Sequence, residues 1–98
     1  MNVQALLKQA QKMQADLAKI EKQLQEKTYT EENEFVKVQC DGTYHFSNIE
    51  FKENALDDVE MLQDMIALAV NKAIEAAKTE HEQEMSKITG GVKLPGAF

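Results

Sequence analysis

Residues 35–51, FVKVQCDGTYHFSNIEF, decide how this chain folds. Apolar and polar residues alternate on either side of Asp41-Gly42, the pattern of two half-buried strands joined by a turn. An Asp-Gly pair supplies the positive φ angles of a two-residue hairpin turn, so the expected register sets Cys40 against Thr43, Val38 against His45 and Val36 against Ser47. In that register Val36, Val38, Cys40, Ile49 and Phe51 share one face, and Phe35, Tyr44 and Phe46 lie on the other. A small sheet that is apolar on both faces needs two covers, one from its own helices and one from elsewhere. Dimerisation through Phe35, Tyr44 and Phe46 is therefore expected. Just upstream, TYTEENE (28–34) reads as a short edge strand whose glutamates discourage further pairing, which completes a three-stranded antiparallel sheet over about residues 28–52.

Outside the sheet the period changes from two to three and a half. Val3, Leu6, Ala10, Met13, Leu17, Ile20 and Leu24 alternate spacings of three and four, a heptad seam that predicts a long helix over about residues 2–27. Spacing alone leaves open whether the seam meets a helix of the same chain or of a second subunit. On the other side, Asp57 with Glu60 three residues on reads as an N-cap with a reaching acid, opening a second helix over about residues 57–88. Its stripe of Leu62, Ile66, Ala69, Val70, Ala73, Ile74 and Ala77 is small and branched, suited to close packing. Past Ala77 only Met85 and Ile88 continue the stripe, so the last turns are expected to project. Gly90 or Gly91 should end the helix as a left-handed cap, and Pro95 prevents its resumption, leaving residues 90–98 as an extended tail. The expected class is α+β, with one αβα domain over residues 1–89.

A chain of 98 residues buries only a modest share of its surface alone, which again favours a shared core. Cys40 is the only cysteine, so no internal disulfide forms and a cytoplasmic setting is expected. The N-terminus has no apolar signal region, and MIALAV (65–70) is too short to cross a bilayer, so neither export nor membrane insertion is expected. The net charge of −6 argues at face value against nucleic acid, but its distribution is uneven. Residues 1–30 hold five lysines against three acids, whereas residues 31–64 hold two lysines against ten acids. All eleven basic residues are Lys, so the bidentate fork that Arg offers to phosphate or guanine is missing, and contact with a polyanion should tolerate many sequences.

No constellation for catalysis emerges, and neither a cofactor nor a small-molecule substrate is expected. Cys40 and His45 flank the turn without a third group to orient the imidazole or lower the thiol pKa. His81 lies among glutamates, but the positions four residues away are Ala77 and Met85, so no metal site is expected. Gly90 and Gly91 follow a helix at the chain's end, which is not the context of a phosphate loop. The first helix offers more. At about 100° per residue, Lys8, Lys12, Lys19 and Lys22 gather within about 80° of one another, roughly opposite the seam. A solvated face is the plain reading; a stripe flanked by Gln4 and Gln11, with only Glu26 to oppose it, also suits tracking along a phosphate backbone.

Three segments, LLKQAQKMQ (6–14), EMLQDMIALAVNKAIEAA (60–77) and ITGGVKLPGAF (88–98), in this order, resemble the YbaB/EbfC family of bacterial nucleoid-associated proteins. The resemblance spans nearly the whole chain. It implies two long helices around a three-stranded antiparallel sheet, paired through the sheet into a tweezer-like homodimer that binds DNA with little sequence preference and influences nucleoid organisation and gene expression. Onto this chain it carries Lys8, Gln9, Gln11 and Lys12 as DNA-contacting residues, with Lys87 more weakly; Lys19 and Lys22 come from the helical wheel. Many relatives have a Gly-rich turn before the VKV strand, where this chain has EENE (31–34). Two other readings use the same features: a dimeric scaffold that binds proteins and not DNA, and an amphipathic helix lying on anionic lipid.

Overall fold

The computed structural model describes residues 2–90 and has the order α1 (Val3–Glu26), β1 (Thr28–Glu32), β2 (Val36–Asp41), β3 (Phe46–Phe51), a 3-10 turn (Ala55–Asp57) and α2 (Val59–Thr89). The strands form one antiparallel sheet in the order β1-β2-β3. The α+β architecture expected from the sequence is the one found, and it measures 69 × 19 × 17 Å. The extended tail expected after Gly90, with Gly91 and Pro95, lies outside the described residues.

The core lies between β1, β2 and α2. Val36, Val38 and Cys40 on the central strand are buried, and Ala69, Ala73 and Ala77 of α2 are buried against them together with Tyr29. Three alanines four apart make a smooth stripe that lets the helix axis sit close to the sheet. A larger side chain there would force the two layers apart. The opposite face of the sheet is polar. Gln39 donates to the Thr30 hydroxyl (3.3 Å) and accepts from the Asn48 amide (3.2 Å), and Lys37 stands between Glu32 and Glu50 in the strand register. The expectation of apolar residues on both faces is thus corrected.

The correction comes from the hairpin. Val36 pairs with Phe51, Val38 with Ile49 and, after a bulge, Cys40 with Phe46, so the turn is longer than two residues and the register differs by four from the expected one. Asp41 causes this: its carboxylate accepts from the Thr43 hydroxyl (2.5 Å), Thr43 N (2.8 Å) and His45 N (3.1 Å), wrapping residues 41–45 around itself. The Thr43 hydroxyl first, then the backbone donor of His45, holds the Asp41 carboxyl below its ordinary range. The positive φ falls on Tyr44 (66°), not on Gly42. Gly42 serves a different purpose: its N–H donates to Gln25 O (3.2 Å), and a Cβ there would stand 1.9 Å from Leu24 O. The glycine lets the end of α1 rest on the hairpin.

Two other local features are set by side-chain hydrogen bonds. Asp58, not Asp57, caps α2, its carboxylate accepting from Met61 N (3.0 Å), because the 3-10 turn takes up Ala55–Asp57 and buries Ala55. In place of a Gly-rich turn before β2, Asn33 accepts from Phe35 N and Val36 N (both 3.0 Å) and donates to Met65 O (2.9 Å), tying the turn to α2. At the far end Gly90 adopts φ 66°, the left-handed cap expected for α2.

Candidate nucleic-acid interface

Helices α1 and α2 run antiparallel: Ile20, Leu24 and Lys27 line one crevice with Glu80 and Glu84. From the Lys27–Glu80 contact the nine residues to Thr89 bring the end of α2 beside about position 18 of α1, so α1 continues roughly 15 residues, on the order of 22 Å, past it. The seam is used unevenly. Leu17 and Leu24 are buried and Ile20 and Met13 partly so, whereas Val3 (63% exposed) and Leu6 (48%) are left open. Residues 2–12 are exposed all round, making this end of α1 a free-standing helical arm. Asn2 starts it, its side-chain oxygen accepting from Ala5 N (3.3 Å).

The arm is basic. Between residues 2 and 15 there are two lysines, Lys8 and Lys12, and no acid; the first acid is Asp16. Lys8, Lys12, Lys19 and Lys22 are all exposed. Among the described residues the ion pairs are Lys27–Glu80, Lys52–Glu32 (3.2 Å) and Lys87–Glu84 (2.9 Å), so none of the four lysines of the stripe is neutralised by pairing. Their distance from the acidic part of the molecule matters as much. Measured along both helices, Lys12 lies on the order of 50 Å from Asp58, several times the Debye length of about 8 Å at physiological ionic strength. A phosphate near the arm is therefore screened from most of the negative charge that makes the chain acidic.

The other expected site residues are placed less uniformly. Gln11 shares the lysine face, while Gln9 lies about 100° round from Lys8 toward the seam. Lys87 is exposed in the last turn of α2, where it engages Glu84 and opposes the negative end of the helix dipole, which leaves it less charge to offer an anion. Lys27 is held by Glu80, whose hydrogen bond raises its pKa, and it also sits 5.7 Å from the centre of the Tyr29 ring.

Of the three aromatics expected on one outward face, two lie on the helix side of the sheet. Phe46, opposite Cys40, packs against the core, and Tyr44 lines a recess with Tyr29, Ala77 and His81, with Lys78 5.7 Å from the centre of its ring. Phe35, half-buried, sits in the turn before β2, where its carbonyl accepts from Lys52 N. Tyr44 is itself 41% exposed, and more exposed apolar side chains lie elsewhere. By register Ile49 (49% exposed) and Phe51 (53%) share the face of Val38 and Val36, but α2 packs over β1 and β2 and leaves them uncovered; Leu56 (70%) and Val59 (55%), a few residues on in the chain, are exposed as well. Sequence alternation put Ile49 and Phe51 on the inner face; how far the helix reaches across the sheet was not readable from it.

Cys40 is buried in the core, and burial pushes its thiol pKa up, opposite to the shift a nucleophile needs. Among the described residues no group of three or more His, Cys, Asp or Glu could hold a metal ion, and no helix is long and apolar enough to cross a membrane.

The sequence pattern of the YbaB/EbfC DNA-binding family matches residues 1–92. The chain belongs to this family. It is 44% identical over 101 residues to a nucleoid-associated protein of Pelotomaculum thermopropionicum, covering 99% of this chain and 96% of that one. It is 40% identical over 102 residues to one of Clostridium novyi, with 100% and 90% covered, and 42% identical to one of Acetivibrio thermocellus, with 99% and 90% covered. In this member of the YbaB/EbfC family, the N-terminal arm of α1 is free of acids before Asp16 and carries Lys8 and Lys12 exposed.

Proposed function

We propose that this YbaB/EbfC-family protein binds duplex DNA as a homodimer with little sequence preference, in the nucleoid of the cytoplasm, and so influences nucleoid organisation and gene expression. One observation carries the reading: the unpaired lysines Lys8, Lys12, Lys19 and Lys22 follow one face of α1, beginning on an acid-free arm many Debye lengths from the acidic end. Lys is a point charge that any phosphate satisfies, so affinity follows the backbone and not the bases. The dimer accounts for the uncovered Ile49, Phe51, Leu56 and Val59, which a second copy would bury together with the free edge of β3. Phe35, at the same end of the sheet, lies at the rim of this interface, and Tyr44 and Phe46 hold the hairpin at the other end of β3.

Titrating a mixed-sequence duplex across a salt series tests the function. Two copies of α1 with four stripe lysines each can neutralise at most about eight phosphates, so log affinity should fall against log salt with a slope no steeper than about −7. Absence of binding even at low salt would remove the DNA role and favour the scaffold reading, for which the acidic, apolar surface around Leu56 and Val59 is the feature of interest. Light scattering tests the dimer: the wild type should weigh twice the chain mass, and Phe51→Asp should give monomers.

A further inference from the structure

We infer that the projecting arm of α1 enters the DNA major groove, where Gln4 and Gln11 read adenine and add a modest A·T preference to the charge-driven affinity. This rests on the DNA-binding reading above and deepens it. The first support is size. Residues 2–12 are exposed all round, so the arm is one bare helix, about 10–12 Å across with side chains. The major groove, about 12 Å wide, admits a single helix. The sheet and the two-helix body are too broad to follow it in.

The second support is the order of side chains along the arm. Gln4, Lys8, Gln11 and Ala15 are spaced four, three and four residues apart and so form one line along the helix, on the side away from Val3, Leu6 and Ala10. Lys12 flanks that line within reach of the groove wall, where the phosphates are. Gln can pair with adenine N6 and N7 in the major groove, and Ala makes apolar contact with the thymine methyl. Gln4 and Gln11 are separated by about 10 Å of helix rise, close to three base-pair steps of about 3.4 Å.

The third support is availability. Gln39 in the sheet spends its amide on Thr30 and Asn48, whereas the side chains of Gln4 and Gln11 make no hydrogen bond among the described residues. Neither is needed for the fold. Lysine has no acceptor to offer adenine N6, and these two amides are the groups on the basic face that can both accept from N6 and donate to N7.

The experiment has two arms with the full chain. In the first, binding to an unmodified duplex is compared with binding to the same duplex carrying glucosylated 5-hydroxymethylcytosine, which fills the major groove and leaves the phosphates unchanged. Affinity should drop tenfold or more, and equal affinity would overturn major-groove entry while leaving the DNA function intact. In the second, wild type and Gln4→Ala/Gln11→Ala select from a random duplex pool. The wild type should favour A·T at two positions about three steps apart by about fivefold or more, and the variant should lose that preference with its salt slope unchanged. No preference in the wild type, or a preference surviving in the variant, would overturn the readout. Failure to bind unmodified DNA at all would instead strike the proposed function itself. Gln→Ala at exposed helix positions does not lower helix propensity, so circular dichroism should show the fold retained.

Discussion

The two ends of this molecule differ in charge and in what they leave uncovered. At one end α1 runs beyond its partner helix with lysines and no acid before Asp16; at the other, the 3-10 turn and the start of α2 crowd Asp57, Asp58, Glu60 and Asp64 around exposed Leu56 and Val59. A net charge of −6 describes neither end. Because ions screen a charge within about 8 Å at physiological salt, each end of a 69 Å particle interacts with its surroundings nearly independently. The lesson is that elongation lets an acidic protein carry a basic surface.

The strongest test of this contrast changes one end at a time. Replacing Lys8, Lys12, Lys19 and Lys22 with Gln should weaken DNA binding by about 100-fold or more near 0.15 M salt, since up to eight counterion-releasing contacts disappear from a dimer. Circular dichroism should be unchanged, as none of the four is buried or ion-paired among the described residues. A smaller but still large effect is expected where the two ends are joined. In Gly42→Ala the new Cβ meets the Leu24 carbonyl at 1.9 Å, so backbone must move, and urea unfolding should show a loss of about 1–3 kcal/mol. DNA affinity at saturating folded protein should change little, which separates the support of the arm from its contact surface.

The complementary change at the acidic end is predicted to matter least for DNA. Replacing Asp57, Asp58, Glu60 and Asp64 by their amides should alter affinity less than about threefold at 0.15 M salt, because those charges lie many Debye lengths from Lys8 and Lys12. A larger gain would show that the acidic end does repel the duplex. The smallest effect concerns pH. Asp41 has a lowered pKa through its Thr43 and His45 donors, so its contribution is present above the ordinary value of 3.8 and is lost as pH falls through the folded-state value. Melting curves of wild type and Asp41→Asn should therefore differ at neutral pH and converge as the solution is acidified below that range.

Much of this was legible in the chain. The heptad seam placed α1 within one residue at each end, and the terminal glycine placed the end of α2, because helical period and capping are local properties of a few adjacent residues. The hairpin was legible as a hairpin but not in its register. Asp-Gly normally signals a two-residue turn, yet here the carboxylate gathers three donors and the glycine admits the end of α1, a partner seventeen or eighteen positions away in sequence. The candidate site divides in the same way. Helical period alone brings Lys8, Lys12, Lys19 and Lys22 to one face, but only the packed structure leaves them unpaired, engages Lys87 with Glu84 and moves Phe46 inward against Cys40.

By itself the sequence determined the elements, their order and the faces of both helices, since each follows from residues a few positions apart. Tertiary structure decided the strand register, which aromatics are covered and how far α1 outruns α2. Those quantities depend on where distant segments meet, and a helix that reaches across only two of three strands, or past the end of its neighbour, leaves no periodic trace in the chain.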